Sequence, residues 1–159
     1  MALPRCDLNA NFYARLARAP LGEFFYADEN EIAEGVAPEE VVARLAAFLD
    51  MKDAALDTTP VHFISLNPSH GRLAQLSDQR TVNRAVRRLA RARADLHYVD
   101  VATPMLDGGR PMDIFVEDGP HMSACGYGIW SDVIRPLVLR EVARERPPCN
   151  PNTNAGATP

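Results

Sequence analysis

Apolar residues follow two different spacings along the chain, and the two spacings alternate. Short apolar runs bounded by polar or turn-forming residues predict three strands, at residues 23–27, 61–66 and 96–101. Apolar residues that recur every three or four positions predict four helices, at residues 10–19, 38 to about 50, 78–94, and from the N-cap Ser123 to about 144. The predicted order is therefore helix, strand, helix, strand, helix, strand, helix.

Strands that alternate with helices pair in parallel through right-handed crossovers, and mostly apolar strands are typical of a sheet covered on both faces. The expected fold class is therefore α/β, with a parallel sheet of about three strands. In such sheets the reactive groups lie just beyond the carboxyl ends of the strands. That rule points to three loops, at residues 28–31, 67–72 and 105–121.

The composition fits one globular domain at residues 1–145. The 159 residues are 47% hydrophobic and 24% charged, whereas residues 146–159 lack the side chains for a core and are expected to form a disordered tail. A net charge of −4 gives no reason to expect a nucleic-acid partner. Five arginines of the third helix, which could contact phosphate, are instead expected to form a solvated face: Arg84, Arg87, Arg88, Arg91 and Arg93.

The sequence carries no signal for a membrane, a secretory route or a bound metal. No apolar run approaches the roughly 20 residues of a membrane span, and the first residues lack the apolar segment of a signal peptide. The three cysteines, Cys6, Cys125 and Cys149, are odd in number and widely spaced, which favours neither disulfides nor zinc. We expect a cytoplasmic protein with no metal and no cofactor.

The strongest candidate for chemistry is the segment Asp118-Gly119-Pro120-His121, just before the last helix. A carboxylate three residues before a histidine, on a tight Gly-Pro turn, can accept the Nδ1–H of the imidazole and prepare the ring as a general base. The alternative is that Asp118 only caps the turn and that His121 lies half-exposed at the helix start. Spacing alone leaves both interpretations open.

Asn30, just past the first predicted strand, is a candidate oxyanion donor. Its amide N–H groups can stabilise the negative charge that develops on a carbonyl oxygen during acyl transfer. Asparagines in loops also commonly do no more than shape turns. The residue is therefore informative only in combination with the Asp-His pair.

Several segments, in order, resemble the sequence blocks of the SGNH (GDSL-type) hydrolases. Residues 25–31, FYADENE, are similar to that family's third block, Gly-x-Asn-Asp, and residues 64–69, ISLNPS, to its Lys-Pro-Ser strand exit. Residues 98–105 and 118–130 are similar to its fifth block and the flanks of that block. The resemblance implies a three-layer α/β/α sandwich of the flavodoxin-like type and a small-molecule ester or acyl substrate.

By the same resemblance, His121 is the base, Asp118 its partner and Asn30 an oxyanion donor. The nucleophile does not match, because no Gly-Asp-Ser block precedes Asn30 and the glycine segment of the second block is missing. In the third block, Asp28 stands in place of Gly and Glu31 in place of the second Asp. The sequence is therefore expected to be N-terminally truncated relative to the family.

Three functional hypotheses remain at this point. The first is an ester hydrolase domain that is weak or inactive as it stands, and the second is a non-catalytic remnant that binds a small ligand. The third is a small binding module that uses the basic helix. Ser69 lies at the correct edge of the predicted sheet to replace the nucleophile, but nothing in the sequence places it near His121.

The strand at residues 23–27 has a further predicted property. If the strands that precede it in the family are missing, its backbone N–H and C=O groups lie on an open edge flanked by aromatic residues. Such an edge is a template for pairing with another chain. We therefore expect self-association through this edge.

Overall fold

The computed structural model describes residues 22–26, 29–56 and 59–145. The helix predicted at residues 10–19 and the tail predicted at 146–159 lie outside this part of the chain. Within it, no helix is long and apolar enough to cross a membrane.

A parallel three-stranded sheet forms the centre of the molecule. Its strands are β1 (Glu23–Phe25), β2 (Val61–Ile64) and β3 (Leu96–Val99), in the spatial order β1-β2-β3. Both pairs run parallel, with Glu23 opposite Val61 and Val61 opposite Leu96. All three predicted strands are confirmed, although each ends earlier than predicted, β1 at Phe25, β2 at Ile64 and β3 at Val99.

Helices cover both faces of this sheet. Helices α2 (Pro38–Leu56) and α3 (Leu76–Ala92) pack on one face, where their buried residues form a core with Val61, Phe63 and Leu96. Helix α4 (Ala124–Glu145) packs on the other face, against Ile64 and Val99. Successive strand residues alternate between the two faces, so each strand contributes to both cores. The predicted three-layer α/β/α sandwich around a parallel sheet is confirmed.

All three predicted loops contain secondary structure. Residues 28–31 are largely a short helix, α1 (Glu29–Ala33). The loop at 105–121 contains an antiparallel hairpin of β4 (Leu106–Asp107) and β5 (Arg110–Pro111), with positive φ at both turn glycines. Short 3-10 helices lie at His70–Gln75, which begins in the predicted loop at 67–72, and at Thr103–Met105. These short elements were missed because one or two turns of helix or ladder leave no apolar period in the sequence.

The apolar side of the last helix differs from its prediction. Trp130, Ile134 and Leu137 pack against the sheet as expected, whereas Tyr127 and Val138 are exposed. Ser123 does precede the helix, but its hydroxyl donates to the Ile114 carbonyl at 3.0 Å. It therefore ties the start of α4 to the preceding loop.

Candidate functional site

A cavity of about 470 Å³ lies beyond the carboxyl ends of β1 and β2. Residues from all three loops that were predicted to follow the carboxyl ends of the strands line it. Its wall is lined by Tyr26, Glu29, Asn30, Glu31, Asn67, Arg72, Pro120, His121, Met122, Tyr127 and Trp130. Asn30 and His121, which the sequence placed in separate loops, thus line the same cavity.

The loop that carries His121 is ordered by its own backbone. Residues 115 and 122 form an antiparallel bridge, and the Val116 N–H donates to the His121 carbonyl at 2.8 Å. The Gly119 N–H donates to the Val116 carbonyl at 3.0 Å, which closes the tip with Gly119 at a φ of 88°. A positive φ of this kind favours glycine.

A close backbone contact joins this tip to the loop after β2. The Gly71 N–H donates to the Gly119 carbonyl at 3.2 Å. A Cβ atom on Gly71 would lie only 2.9 Å from the carbonyl carbon of Gly119 and 3.0 Å from Pro120. Two glycines facing each other therefore let the loops touch, and this contact brings Arg72 and His121 to the same cavity.

Asp118 and His121 form the hydrogen bond that their spacing predicted. Asp118 Oδ2 lies 2.5 Å from His121 Nδ1, and Asp118 Oδ1 accepts the His121 backbone N–H at 3.2 Å. The hydrogen bond from the imidazole lowers the pKa of the Asp118 carboxyl. Asp118 thus caps the turn and also holds the ring, so it does more than the cap-only alternative predicted. The contact with Nδ1 leaves Nε2 for other partners.

Asn30 is held from one side by an arginine. Arg72 Nη2 donates to Asn30 Oδ1 at 2.9 Å. This contact engages the amide oxygen of Asn30. The two N–H groups of the amide nitrogen have no acceptor within the described ranges. Asn30 therefore has the unused donors that an oxyanion site needs. No sequence pattern indicated that Arg72 orients them.

A polar cluster around the buried Asn67 forms another part of the wall. The Tyr26 hydroxyl lies within hydrogen-bonding distance of the Glu29 carboxylate and of Asn67 Oδ1. Burial raises the pKa of the Glu29 carboxyl, with the Tyr26 hydrogen bond and the charges of Arg72 and His121 acting against it. Burial likewise raises the pKa of Tyr26. No sequence pattern indicated the cluster, although each member lies within a few residues of the end of a strand.

Among the described residues, no serine lines this cavity. Ser65 is buried, where its hydroxyl accepts the backbone N–H groups of Val101 and Ala102 at 3.0 Å each. Ser69 is also buried and contributes nothing to the cavity wall. Within the described ranges, no three His, Cys, Asp or Glu side chains are grouped so that they could hold a metal ion.

No model of a known protein family matches the sequence, and no curated protein matches it. Solved structures do share its fold. A candidate platelet activating factor from Streptococcus pneumonia aligns at 22% identity with a TM-score of 0.65, over 72% of this chain and 58% of the other. A candidate acylhydrolase from Bacteroides fragilis aligns at 16% identity with a TM-score of 0.66, over 82% of this chain and 69% of the other.

A GDSL-like lipase from Bacteroides thetaiotaomicron also aligns, at 18% identity with a TM-score of 0.63, over 82% of this chain and 70% of the other. The chain therefore spans 58% to 70% of the length of these three proteins. At such identities the likeness establishes a shared fold. This is the fold that the sequence resemblance implied.

Proposed function

We propose that this chain carries an acyl-ester site of the SGNH (GDSL-type) hydrolase kind, with His121 as general base, Asp118 as its partner and Asn30 as oxyanion donor. The observation that carries the proposal is the 2.5 Å contact between Asp118 Oδ2 and His121 Nδ1, at the rim of the cavity that Asn30 also lines. The fold shared with an acylhydrolase and a GDSL-like lipase supports it.

In a complete site of this kind, His121 Nε2 takes the proton from a nucleophilic hydroxyl as that oxygen bonds to the ester carbonyl carbon. The carbonyl oxygen gains the negative charge, which the Asn30 amide stabilises. Collapse of the intermediate breaks the ester bond, and the alcohol leaves with the proton held by His121. Water then releases the acid by the same steps, with His121 again as the base.

The serine route requires a nucleophile, and no serine among the described residues lines the cavity. The chain by itself is therefore expected to hydrolyse esters only weakly. A second candidate function is the binding of a small ligand without turnover, which the size and the polar wall of the cavity favour.

Hydrolysis of a short-chain chromogenic ester tests the proposal. We expect a low rate that falls to the level of the uncatalysed reaction in His121→Ala. His70→Asn is the matched control because this exposed histidine lies outside the cavity. A rate that is equal in the wild type and in His121→Ala contradicts the catalytic role and leaves the binding function.

A chain extended upstream by a Gly-Asp-Ser block is the second arm of the test. If the Asp-His pair and Asn30 form the remainder of an ester site, the extended chain gains hydrolysis, and Asp118→Asn reduces that gain. Asp113→Asn, in the same loop and exposed, is the control for the loss of a carboxylate. No gain in the extended chain would argue against the proposed assignment of the three residues.

A further inference from the structure

The guanidinium of Arg72 forms no ion pair within the described part of the chain. Within the described part of the chain, no carboxylate lies within 4 Å of it, whereas Arg44, Arg87 and Arg93 each have one. Arg72 is partly buried, and its Nε has no hydrogen-bond partner among the described residues. Removing part of a cation from water without pairing it is unfavourable. An anion bound in the cavity would relieve this cost.

Arg72 and Asn30 together form a group of donors. Arg72 uses one N–H of Nη2 on Asn30 Oδ1, which leaves its other terminal N–H groups and the Asn30 amide N–H groups for a ligand. These two adjacent residues thus offer a planar fork beside an amide, and that arrangement suits the two oxygens of a carboxylate. The imidazole of His121 lines the same cavity and adds a donor when it is protonated.

The acidic residues of the wall do not cancel this preference. Glu31 is paired with Arg44 at 3.3 Å, outside the fork. Glu29 accepts the Tyr26 hydroxyl, and burial raises the pKa of its carboxyl. The repulsion of an incoming anion is therefore weaker than the number of carboxyl groups implies.

Another part of the wall is apolar. Pro120, Met122 and Trp130 line it, and the Trp130 and Tyr26 rings form a T-shaped pair with 5.0 Å between ring centroids. A surface of this kind suits a short hydrocarbon tail.

We propose that the cavity binds a small monocarboxylate, with its oxygens on Arg72 and Asn30 and its short apolar tail against Trp130. The inference deepens the proposed function, on which its choice of ligand rests, because a monocarboxylate is the acid released from a short-chain ester. Binding itself requires no nucleophile and is therefore open to this chain as it stands.

Trp130 provides a direct readout, since it is the only tryptophan of the chain and lines the cavity. Titration with sodium butyrate, at constant ionic strength, is expected to change its fluorescence with a Kd of about 1 mM. The neutral isostere butyramide is expected to bind roughly tenfold or more weakly, because it cannot pair with the guanidinium.

Arg72→Gln is expected to weaken butyrate binding roughly tenfold or more while leaving butyramide binding nearly unchanged. Arg88→Gln, which removes an exposed arginine of α3 outside the cavity, is the matched control and is expected to bind butyrate as the wild type does. Glu29→Gln is expected to bind butyrate more tightly, because it removes the neighbouring negative charge. Circular dichroism checks that each variant is folded.

Equal affinity of the wild type and Arg72→Gln for butyrate would overturn the proposal, as would the absence of any fluorescence change at about 100 mM butyrate. If Arg72→Gln does not fold, two other measurements decide. The proposal is overturned if Glu29→Gln binds butyrate with unchanged affinity and the wild type does not prefer butyrate over butyramide. Ester hydrolysis fails independently: a chain that binds butyrate through Arg72 but leaves esters intact refutes catalysis alone.

Discussion

The protonation of His62 is linked to the stability of the fold. Its side chain is buried between the sheet and α4, where it stacks on Phe24 with ring centroids 4.6 Å apart. Burial lowers the pKa of His62, and the neighbouring charges of His97, Arg140 and Arg144 act in the same direction. Glu141 opposes them, with its Oε1 3.6 Å from Nε2, without reversing the shift.

We expect the folded chain to lose stability as the pH falls below about 6.5, the usual pKa of an unfolded histidine. In that range the unfolded chain binds the proton and the folded chain does not, so unfolding is favoured by at most about 1.4 kcal/mol per pH unit for this one group. His62→Phe, which keeps an aromatic ring, is expected to flatten this dependence. Urea unfolding between pH 5 and 8 measures it, and an unchanged slope in the variant would contradict the assignment.

At the residue scale, sequence patterns predicted the contacts between residues that are close in sequence and missed those between residues that are distant in sequence. Asp118 and His121 are three positions apart, so their contact follows from the geometry of one turn. Arg72 meets Asn30 across 42 positions, and no spacing rule reports such a pair. The three loops and the Asp118–His121 pair could therefore be predicted from the sequence. The contact between Asn30 and Arg72 became visible only in the folded structure.

At the scale of elements, an ion cluster joins α2 to the turn before β3. Lys52 is 1% exposed, and its Nζ lies 2.6 Å from Asp95 Oδ2 and 2.7 Å from Asp53 Oδ1. Burial lowers the pKa of Lys52, but the hydrogen bonds to Asp53 and Asp95 outweigh that effect and leave it raised. Arg93 binds both carboxylates and completes the cluster.

Asp95→Asn is expected to reduce the free energy of unfolding by about 3 kcal/mol, because it leaves a buried ammonium with weakened compensation. Lys52→Met is expected to cost less, since it removes the buried charge and leaves both carboxylates to Arg93. Chemical denaturation of the two variants decides the order. A larger loss in Lys52→Met would show that the ammonium, rather than its partners, provides the net stabilisation.

The contact between the loop after β2 and the His121 loop is sensitive to a single methyl group. Gly71→Ala places a Cβ atom 2.9 Å from the Gly119 backbone, so we expect a loss of about 1–3 kcal/mol in stability and weaker binding of butyrate. Gly128→Ala, whose added Cβ meets nothing within 4 Å, is the control. It is expected to stabilise α4 by about 0.5–1 kcal/mol. Wild-type binding by Gly71→Ala would exclude a role of this contact in shaping the cavity.

Helices and strands with several apolar residues were predictable because each buries one face against a neighbour. Helix α2 repeats buried residues at Val41, Leu45 and Phe48, a period that is visible in the sequence alone. Tyr127 and Val138 also fit the period of α4 and yet are exposed. Periodicity identifies a face but cannot tell how far along the helix the sheet extends.

At the scale of the whole molecule, the sheet leaves one side of β1 without a strand in the described part of the chain. We expect this edge to pair with the same edge of a second copy, so that the weight-average mass rises with concentration. Light scattering across a range of concentrations measures this. A constant monomeric mass, together with slow amide exchange at Phe24, would show that the edge is covered within the chain.

The backbone contact between Gly71 and Gly119 also has a thermodynamic consequence. The loops that meet there are separated along the chain by α3, β3 and the β4–β5 hairpin, so the cavity exists only after everything between them has folded. A ligand of the cavity therefore recognises the native state alone and shifts the unfolding equilibrium through linkage. At a ligand concentration 100 times its Kd, the native state gains about 2.7 kcal/mol, and the melting temperature then reports occupancy of the site.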